Sequence, residues 1–222
     1  MKFSLVATVA SLLYVSSVQA RTKFTPGLTW NYALSESNFD VNKEPAKVVV
    51  VDVHSSSAKR ILELKNHGKK VICYFSGGSY EDFRPDKNKF KNLRKGSQLD
   101  GWDEYYVDVS SSSILSIMKE RIAVAHQKGC DGIEVDNMDA CQNDHRLHLS
   151  ESDCINFGKR LSEIAHDYDL AIGLKNSAYI MRRIANVYDF AINESCYTHG
   201  KNCHEYKRYF LDKGKAVFSI NY

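Results

Sequence analysis

Two short segments of the chain combine acidic side chains with the apolar residues that are typical of buried strands. In residues 132–136, Glu134 and Asp136 are two positions apart, so their side chains lie on the same face of a strand. In residues 190–193, an apolar run is followed directly by Glu194. Two carboxylates that meet in one cleft from different strands can serve as the acid and the nucleophile or base of glycoside hydrolysis. We therefore predict Asp136 and Glu194 as a catalytic pair.

Other polar and aromatic side chains stand where further apolar runs end. Aromatic rings at the end of the first run offer surfaces on which sugar rings can stack, although each ring alone is better explained by a place in the core. Polar groups drawn from several strands are typical of a binding site at one end of a barrel. These residues are Trp30, Tyr32, Asp52, Tyr74, Asp108, Asn137, Asp139, Lys175 and Asn176.

The elements that must position these residues alternate between strand and helix. Eight apolar, often β-branched runs predict strands at residues 28–32, 48–53, 71–75, 105–109, 132–136, 171–174, 190–193 and 216–220. Helical spacing lies between them at residues 57–67, 112–127, 152–168 and 179–187. This order predicts an α/β fold, a (β/α)8 TIM-type barrel. An open doubly wound sheet is the alternative, and it is less favoured because no glycine-rich phosphate turn follows the first run.

The composition fits one exported domain. The 222 residues are 43% hydrophobic and 26% charged, and the net charge is only +3 with no long basic run, so we expect no nucleic-acid partner. Residues 1–20 combine Lys2, an apolar stretch and a small-x-small ending at Ala20, which is the pattern of a signal peptide. We predict a secreted, extracellular, monomeric protein whose domain spans residues 21–222 and does not bind membranes.

Six cysteines in an exported chain predict disulfide bonds. Fifteen pairings are possible. One of them, Cys73–Cys130 with Cys141–Cys154 and Cys196–Cys203, closes two short loops, but spacing does not select it. Zinc bound by cysteine and histidine is an alternative that the absence of a C-x-x-C pair disfavours. Calcium at Asp136, Asp139, Asn143 and Asp144 is another, without the spacing of an EF-hand. We expect no metal and no cofactor.

Five motifs in order resemble one known family. They are residues 29–32 (TWNY), 71–86 (VICYFSGGSYEDFRPD), 129–139 (GCDGIEVDNMD), 173–176 (GLKN) and 193–196 (NESC). Together they span nearly the whole mature chain and resemble glycoside hydrolase family 114, the endo-α-1,4-polygalactosaminidases. The resemblance implies a barrel glycosidase that cleaves α-1,4-linked galactosamine polymers, with catalytic carboxylates at Asp136 and Glu194.

The resemblance also implies a cationic amino-sugar polysaccharide as the partner. Asp52, Asp82, Glu134 and Asp139 would then bind its ammonium groups through charge-assisted hydrogen bonds. Lys175 and Asn176 would bind ring hydroxyls or tune a neighbouring carboxylate.

The chain departs from this family at its C-terminus. The family's last strand usually ends in Glu-Tyr and continues into a closing helix, whereas this chain ends with Ile220, Asn221 and Tyr222. We therefore expect a barrel without its final helix. An inactive or weakened carbohydrate-binding barrel is an alternative that this departure favours. A Schiff-base aldolase that uses Lys175 is a further alternative, because a lysine at the end of a barrel strand can act in that way.

Overall fold

The computed structural model describes residues 20–35, 39–196 and 202–221. Except for Ala20, the predicted signal peptide lies outside these residues. Within the described ranges, no helix has the length and apolar character needed to cross a membrane.

Ten strands and six α-helices make up the described fold. The strands are β1 (Trp30–Tyr32), β2 (Val48–Asp52), β3 (Lys70–Ser76), β4 (Ser79–Glu81), β5 (Lys95–Gln98), β6 (Glu104–Val107), β7 (Gly132–Asp136), β8 (Ala171–Lys175), β9 (Phe190–Glu194) and β10 (Val217–Ile220). The helices are α1 (Ala58–Asn66), α2 (Ser112–Lys128), α3 (Ala140–Asn143), α4 (Glu151–Asp167), α5 (Met181–Ile184) and α6 (Cys203–Tyr209).

Seven parallel strands form a nearly closed barrel, in the order β1, β2, β3, β7, β8, β9 and β10. At the seam between the first and last strands, the rings of Trp30 and Phe218 lie 5.3 Å apart. The backbone N–H of Ala216 donates a hydrogen bond to the carbonyl oxygen of Phe24, which precedes β1. The TIM-type barrel predicted from the sequence is therefore confirmed, and β10 is its last described strand.

The fourth predicted strand, residues 105–109, was wrongly assigned to the barrel. Strand β6 pairs antiparallel with β4 and β5 in a separate three-stranded sheet, while β3 pairs directly with β7. The side chains of β6 are not all buried: Tyr105 is half-buried, whereas Tyr106 is buried. Its other residues are buried as in a barrel strand, so the difference lies in the pairing: β4, β5 and β6 follow one another in the chain, and antiparallel strands can be joined by short connections.

Alternate residues of the barrel strands face two separate cores. The inner core contains Val50, Ile72, Phe190 and Ile192, among others, and the outer core, which includes Ile133 and Val135, packs against the helices. Glu134 and Asp136 are therefore on the inner face of β7, as their spacing predicts.

Local signals in the sequence set the end of helix α2 and the start of helix α4. Helix α2 ends at Gly129, whose φ of 85° lies in the left-handed region that glycine adopts without strain. Helix α4 begins with a capping box in which Ser150 and Asp153 each accept a hydrogen bond from the other's backbone N–H.

All six cysteines form disulfide bonds: Cys73–Cys130, Cys141–Cys154 and Cys196–Cys203. The predicted disulfide bonding is confirmed, in the pairing that closes the two short loops. No thiolate remains as a ligand for zinc.

Candidate active site

Four charged side chains from three neighbouring strands meet inside the mouth of the barrel. Strand β7 contributes Glu134 and Asp136, β8 contributes Lys175, and β9 contributes Glu194. The Nζ atom of Lys175 lies 3.0 Å from Oε1 of Glu134, 3.4 Å from Oδ1 of Asp136 and 3.4 Å from Oε1 of Glu194. A lysine ammonium has three N–H groups, so its donors match its three carboxylate neighbours in number.

This shared lysine limits the separation of the two predicted catalytic carboxylates. Because one oxygen of Asp136 and one of Glu194 each lie 3.4 Å from Nζ of Lys175, these oxygens are at most twice that distance, about 6.8 Å, apart. A spacing near 5 to 5.5 Å is typical of retaining glycosidases, and roughly 6.5 to 9.5 Å of inverting ones.

Neighbouring donors fix the orientation of both carboxylates. Asp136 accepts hydrogen bonds from the Tyr74 hydroxyl at 2.9 Å and from the backbone N–H of Asn137 at 2.8 Å. Glu194 accepts one from Nδ2 of Asn176 at 2.9 Å, and its own backbone N–H donates to Oδ1 of Asn176 at 3.0 Å. Charged acceptors with directed donors are the pre-organised groups that catalysis requires.

The chain turns sharply just after each of these strands. Asn137, Asn176 and Ser195, which follow the last residues of β7, β8 and β9, have φ values of 59°, 48° and 57°. Left-handed backbone in residues other than glycine is uncommon, and it is frequent at functional sites. The turns end the strands at the points where the charged side chains meet.

Glu134 lies below the pair and is fully buried. It accepts a hydrogen bond from the Tyr32 hydroxyl at 2.8 Å. Burial raises the pKa of its carboxyl to about 7, although Lys175 acts in the opposite direction. Glu134 is thus a structural partner of Lys175, with no free face for a sugar.

Lys175 remains cationic. Burial by itself lowers the pKa of its ammonium, but the negative charges of Glu134, Asp136 and Glu194 outweigh burial and raise it well above its ordinary value. Schiff-base formation needs an uncharged amine. The aldolase alternative therefore does not fit this site.

The predicted catalytic pair lines a cavity of about 450 Å³. Its lining residues are Tyr74, Leu99, Trp102, Glu104, Tyr106, Asp136, Asn137, Asp139, Asn176 and Glu194. Burial and the charge of Asp136 raise the pKa of Asp139 to about 6. A second cavity of about 640 Å³ adjoins the first, and the two share Tyr74, Trp102 and Glu104. Trp102 is 67% exposed and stands between them.

Three residues predicted to bind substrate have other surroundings. Trp30 packs against Tyr32 and Phe218 at the barrel seam. Asp52 lines the second cavity but is buried in a salt bridge with Arg84. Asp82 lines neither cavity, because its exposed side chain instead contacts Lys87 and Tyr80.

The antiparallel sheet supplies site residues that the sequence did not reveal. Leu99, Glu104 and Tyr106 line the first cavity. A barrel strand presents polar groups at its C-terminal end, which drew attention to Asp108; that residue accepts a hydrogen bond from Ser110 and pairs with Arg94 instead. Because β6 belongs to an antiparallel sheet, its first residue, Glu104, reaches the mouth.

The calcium alternative has no support in the geometry. Asp144 accepts hydrogen bonds from Ser97 and from the backbone of Leu147. Among the described residues, no group of three or more histidine, cysteine, aspartate and glutamate side chains is arranged to hold a metal ion.

The barrel and its paired carboxylates define the class of the protein: it is a glycoside hydrolase with a TIM-type fold. The model of glycoside hydrolase family GH114 matches residues 14–222, and the chain belongs to that family.

Solved structures agree with this assignment. The crystal structure of Ega3 from Aspergillus fumigatus, in complex with galactosamine, is 36% identical, with a TM-score of 0.87, and the match covers 93% of this chain and 82% of that one. The glycoside hydrolase domain of PelA from Pseudomonas aeruginosa is 14% identical with a TM-score of 0.56, covering 74% of this chain and 65% of the other. At that identity the likeness shows the fold alone. A comparison with curated proteins finds no match.

Proposed function

We propose that the protein is a secreted hydrolase of α-1,4-linked galactosamine polymers that cleaves internal bonds. One observation carries this proposal: four carboxylates, Glu104, Asp136, Asp139 and Glu194, line the 450 Å³ cavity, and the ammonium of Lys175, which lies 3.4 Å from Asp136 and from Glu194, offsets only part of their charge. Galactosamine units are cationic at neutral pH, and an acidic cleft attracts and orients cations. That Ega3 was crystallised with galactosamine supports the same substrate class.

Asp136 and Glu194 have separate roles in the two steps of a retaining mechanism. In the first step, an oxygen of Asp136 attacks the anomeric carbon while Glu194 gives its proton to the glycosidic oxygen, and the bond to the leaving sugar breaks. In the second step, Glu194 takes a proton from a water molecule, which attacks the same carbon and releases Asp136. The limit of about 6.8 Å between these two oxygens lies at the lower end of the inverting range, which supports this choice over inversion. Lys175 is a positioning residue that holds both carboxylates.

Variants of the two carboxylates test the assignment. Asp136→Asn removes the nucleophile and Glu194→Gln removes the proton donor, and we expect each to lower kcat on galactosamine oligomers by about 10³-fold or more. Glu163→Gln is the matched control, because it removes an exposed carboxylate on α4, outside both cavities. Unchanged hydrolysis by either of the first two variants would show that the assignment is wrong.

Two further measurements test the reaction itself. Proton NMR of the first products should show the α-anomer before mutarotation, and an initial β-anomer would contradict retention. Polymer binding by the wild type without any release of reducing ends would select the inactive, carbohydrate-binding alternative.

Cleavage of internal bonds is supported by the shape of the mouth. The two adjoining cavities, of about 450 and 640 Å³, form an open groove that accommodates more than one sugar unit. Mass spectrometry of early products should therefore show a range of oligomer lengths. Release of monosaccharide alone would contradict this mode.

Secretion is supported by the predicted signal peptide and by three disulfide bonds, which persist in oxidising compartments. Protein recovered from the culture medium should begin at Arg21. Retention of the entire product inside the cell would contradict the proposal.

A further inference from the structure

Two carboxylates of the second cavity are already neutralised by a cation. Asp52 and Glu81 both pair with Arg84. A carboxylate that is held in a salt bridge offers little to a second cation, because the first one satisfies its charge. These residues therefore contribute structure rather than recognition.

Glu104 differs from them in its partners. It is only 8% exposed, and its Oε2 atom accepts a hydrogen bond from the Ser79 hydroxyl at 2.6 Å. Among the described residues, no lysine, arginine or histidine nitrogen lies within 4 Å of its carboxylate. Burying a charge without a counter-charge is costly, and proteins retain such groups chiefly where they have a use.

The surroundings of Glu104 favour an incoming cation. Burial raises the pKa of the Glu104 carboxyl, and the negative charges of Glu81 and Asp136 raise it further, whereas the hydrogen bond from Ser79 and the more distant positive charge of Arg84 lower it. A cation bound beside Glu104 would relieve the repulsion among these carboxylates.

The side chain is also held in place before any ligand binds. Ser79, its donor, is hydrogen-bonded to Ser76 at 2.6 Å and receives a further bond from Nδ2 of Asn137 at 3.1 Å. This network joins Glu104 to the turn after Asp136. Glu104 is one of three residues that line both cavities, so it lies where the groove passes from the predicted catalytic pair to its neighbouring site.

We infer that Glu104 is a specificity-determining residue: it accepts hydrogen bonds from the ammonium group of an amino sugar bound in the groove, and so selects free amines over N-acetylated units. This inference rests on the proposed function. An acetamido group is neutral, and it would leave the carboxylate buried without a counter-charge.

The test compares Glu104→Gln with the wild type on two substrates. Glutamine keeps the shape of the side chain and an acceptor for Ser79 but removes the charge. With fully deacetylated oligomers we expect kcat/KM to fall about 10- to 100-fold, the range of one lost charge-assisted hydrogen bond. With N-acetylated oligomers the change should stay below about threefold. Glu163→Gln serves as the charge-matched control, because its carboxylate is exposed on α4 and lines neither cavity, and it should leave both values unchanged.

Glu104→Asp separates charge from shape, because it restores the carboxylate on a shorter side chain. It should recover part of the preference for the deacetylated oligomer. An equal loss on both substrates, or no loss on either, would overturn the inference. Thermal unfolding shows whether each variant is folded. If Glu104→Gln is misfolded, the ratio of the two kcat/KM values of Glu104→Asp, for deacetylated and for acetylated oligomers, decides the test.

Failure of the proposed function gives a different result. In that case the wild type itself neither hydrolyses nor binds galactosamine oligomers. If it binds them without turnover, calorimetric Kd values for the deacetylated and acetylated oligomers replace kcat/KM, and Glu104→Gln should reduce the ratio of the two affinities by the same factor. An unchanged ratio would refute the role of Glu104.

Discussion

Replacing Lys175 by methionine should expose how strongly the barrel interior depends on one ammonium group. Methionine has nearly the same length and shape but no charge. Lys175 is 2% exposed and contacts the carboxylates of Glu134, Asp136 and Glu194 within 3.4 Å. The variant therefore removes their shared counter-charge while the packing volume is retained.

The expected cost follows from the state of Glu134. That side chain is fully buried, and its Oε2 atom has no hydrogen-bond partner, so without Lys175 it retains only the Tyr32 hydroxyl. Removing one partner of a buried ion pair typically costs 3–5 kcal/mol. For a domain of this size, each 1 kcal/mol lowers Tm by about 2–4 °C. We therefore expect a fall in Tm of about 6–20 °C at pH 7.

The pH dependence of this loss has a definite sign. A buried, unpaired Glu134 has a folded-state pKa well above that of the unfolded chain, so the folded state binds the extra proton as pH falls. Lys175→Met should thus lose less stability relative to the wild type at pH 5 than at pH 8. Adding Glu134→Gln removes the buried charge and should recover a large part of the lost Tm at pH 8.

Thermal unfolding followed by circular dichroism, with the disulfides intact, gives the Tm of the wild type, the two single variants and the double variant. The reasoning is refuted if Lys175→Met unfolds at the wild-type temperature. It is also refuted if the double variant has a lower Tm than Lys175→Met alone, since the two changes would then not share one electrostatic cause.

Three other changes test separate parts of the structure. Asp139→Asn should stabilise the fold by about 1–3 kcal/mol at pH 8 and not at pH 3.5. The pKa of the wild-type carboxyl is raised to about 6 in the folded state, so the wild-type protein loses stability as the pH rises from about 4 to 6. Urea unfolding at both pH values measures this difference, and an equal effect at both would contradict it. Gly173→Ala should cost about 1–3 kcal/mol, since its Cβ would lie 2.3 Å from the Phe190 ring, and an unchanged urea midpoint would show that the ring moves freely. Replacing both Cys73 and Cys130 by serine should cost about 2–5 kcal/mol, because this bond joins residues 57 positions apart. A Tm equal to that of the wild type would show that the crosslink adds nothing.

The barrel was predictable because its strands obey local rules. Residues 48–51, 71–75 and 171–174 are apolar on both faces, as strands between a core and a helix layer must be, and these runs lie in β2, β3 and β8. The polar residues at their ends followed from the same reasoning, since parallel strands end at one side of a barrel. Asp136, Lys175 and Glu194 therefore meet where the periodicity placed them.

The antiparallel sheet beside the barrel mouth was not predictable in the same way. Residues 105–109 have the apolar character of a strand, but periodicity does not reveal which strand they pair with or in which direction. Glu104 could be recognised as a site residue only from the structure, in which it pairs antiparallel with Glu81. Likewise, the charge of Asp52 suggested ammonium binding, whereas tertiary contact with Arg84, 32 positions away, neutralises it.

The separate antiparallel sheet divides the mouth into two parts with different tolerance for change. The proposed catalytic pair belongs to strands whose side chains also fill the barrel, so substitutions beside Asp136 or Glu194 act on the packing of the barrel as well. Glu104, Trp102 and Tyr106 belong to a segment that lies between β3 and α2 and takes no part in the parallel sheet. Residues 79–107 therefore shape the groove without supplying a barrel strand, and the ion pairs Arg84–Asp52 and Arg121–Asp86 hold this segment against the rest of the fold.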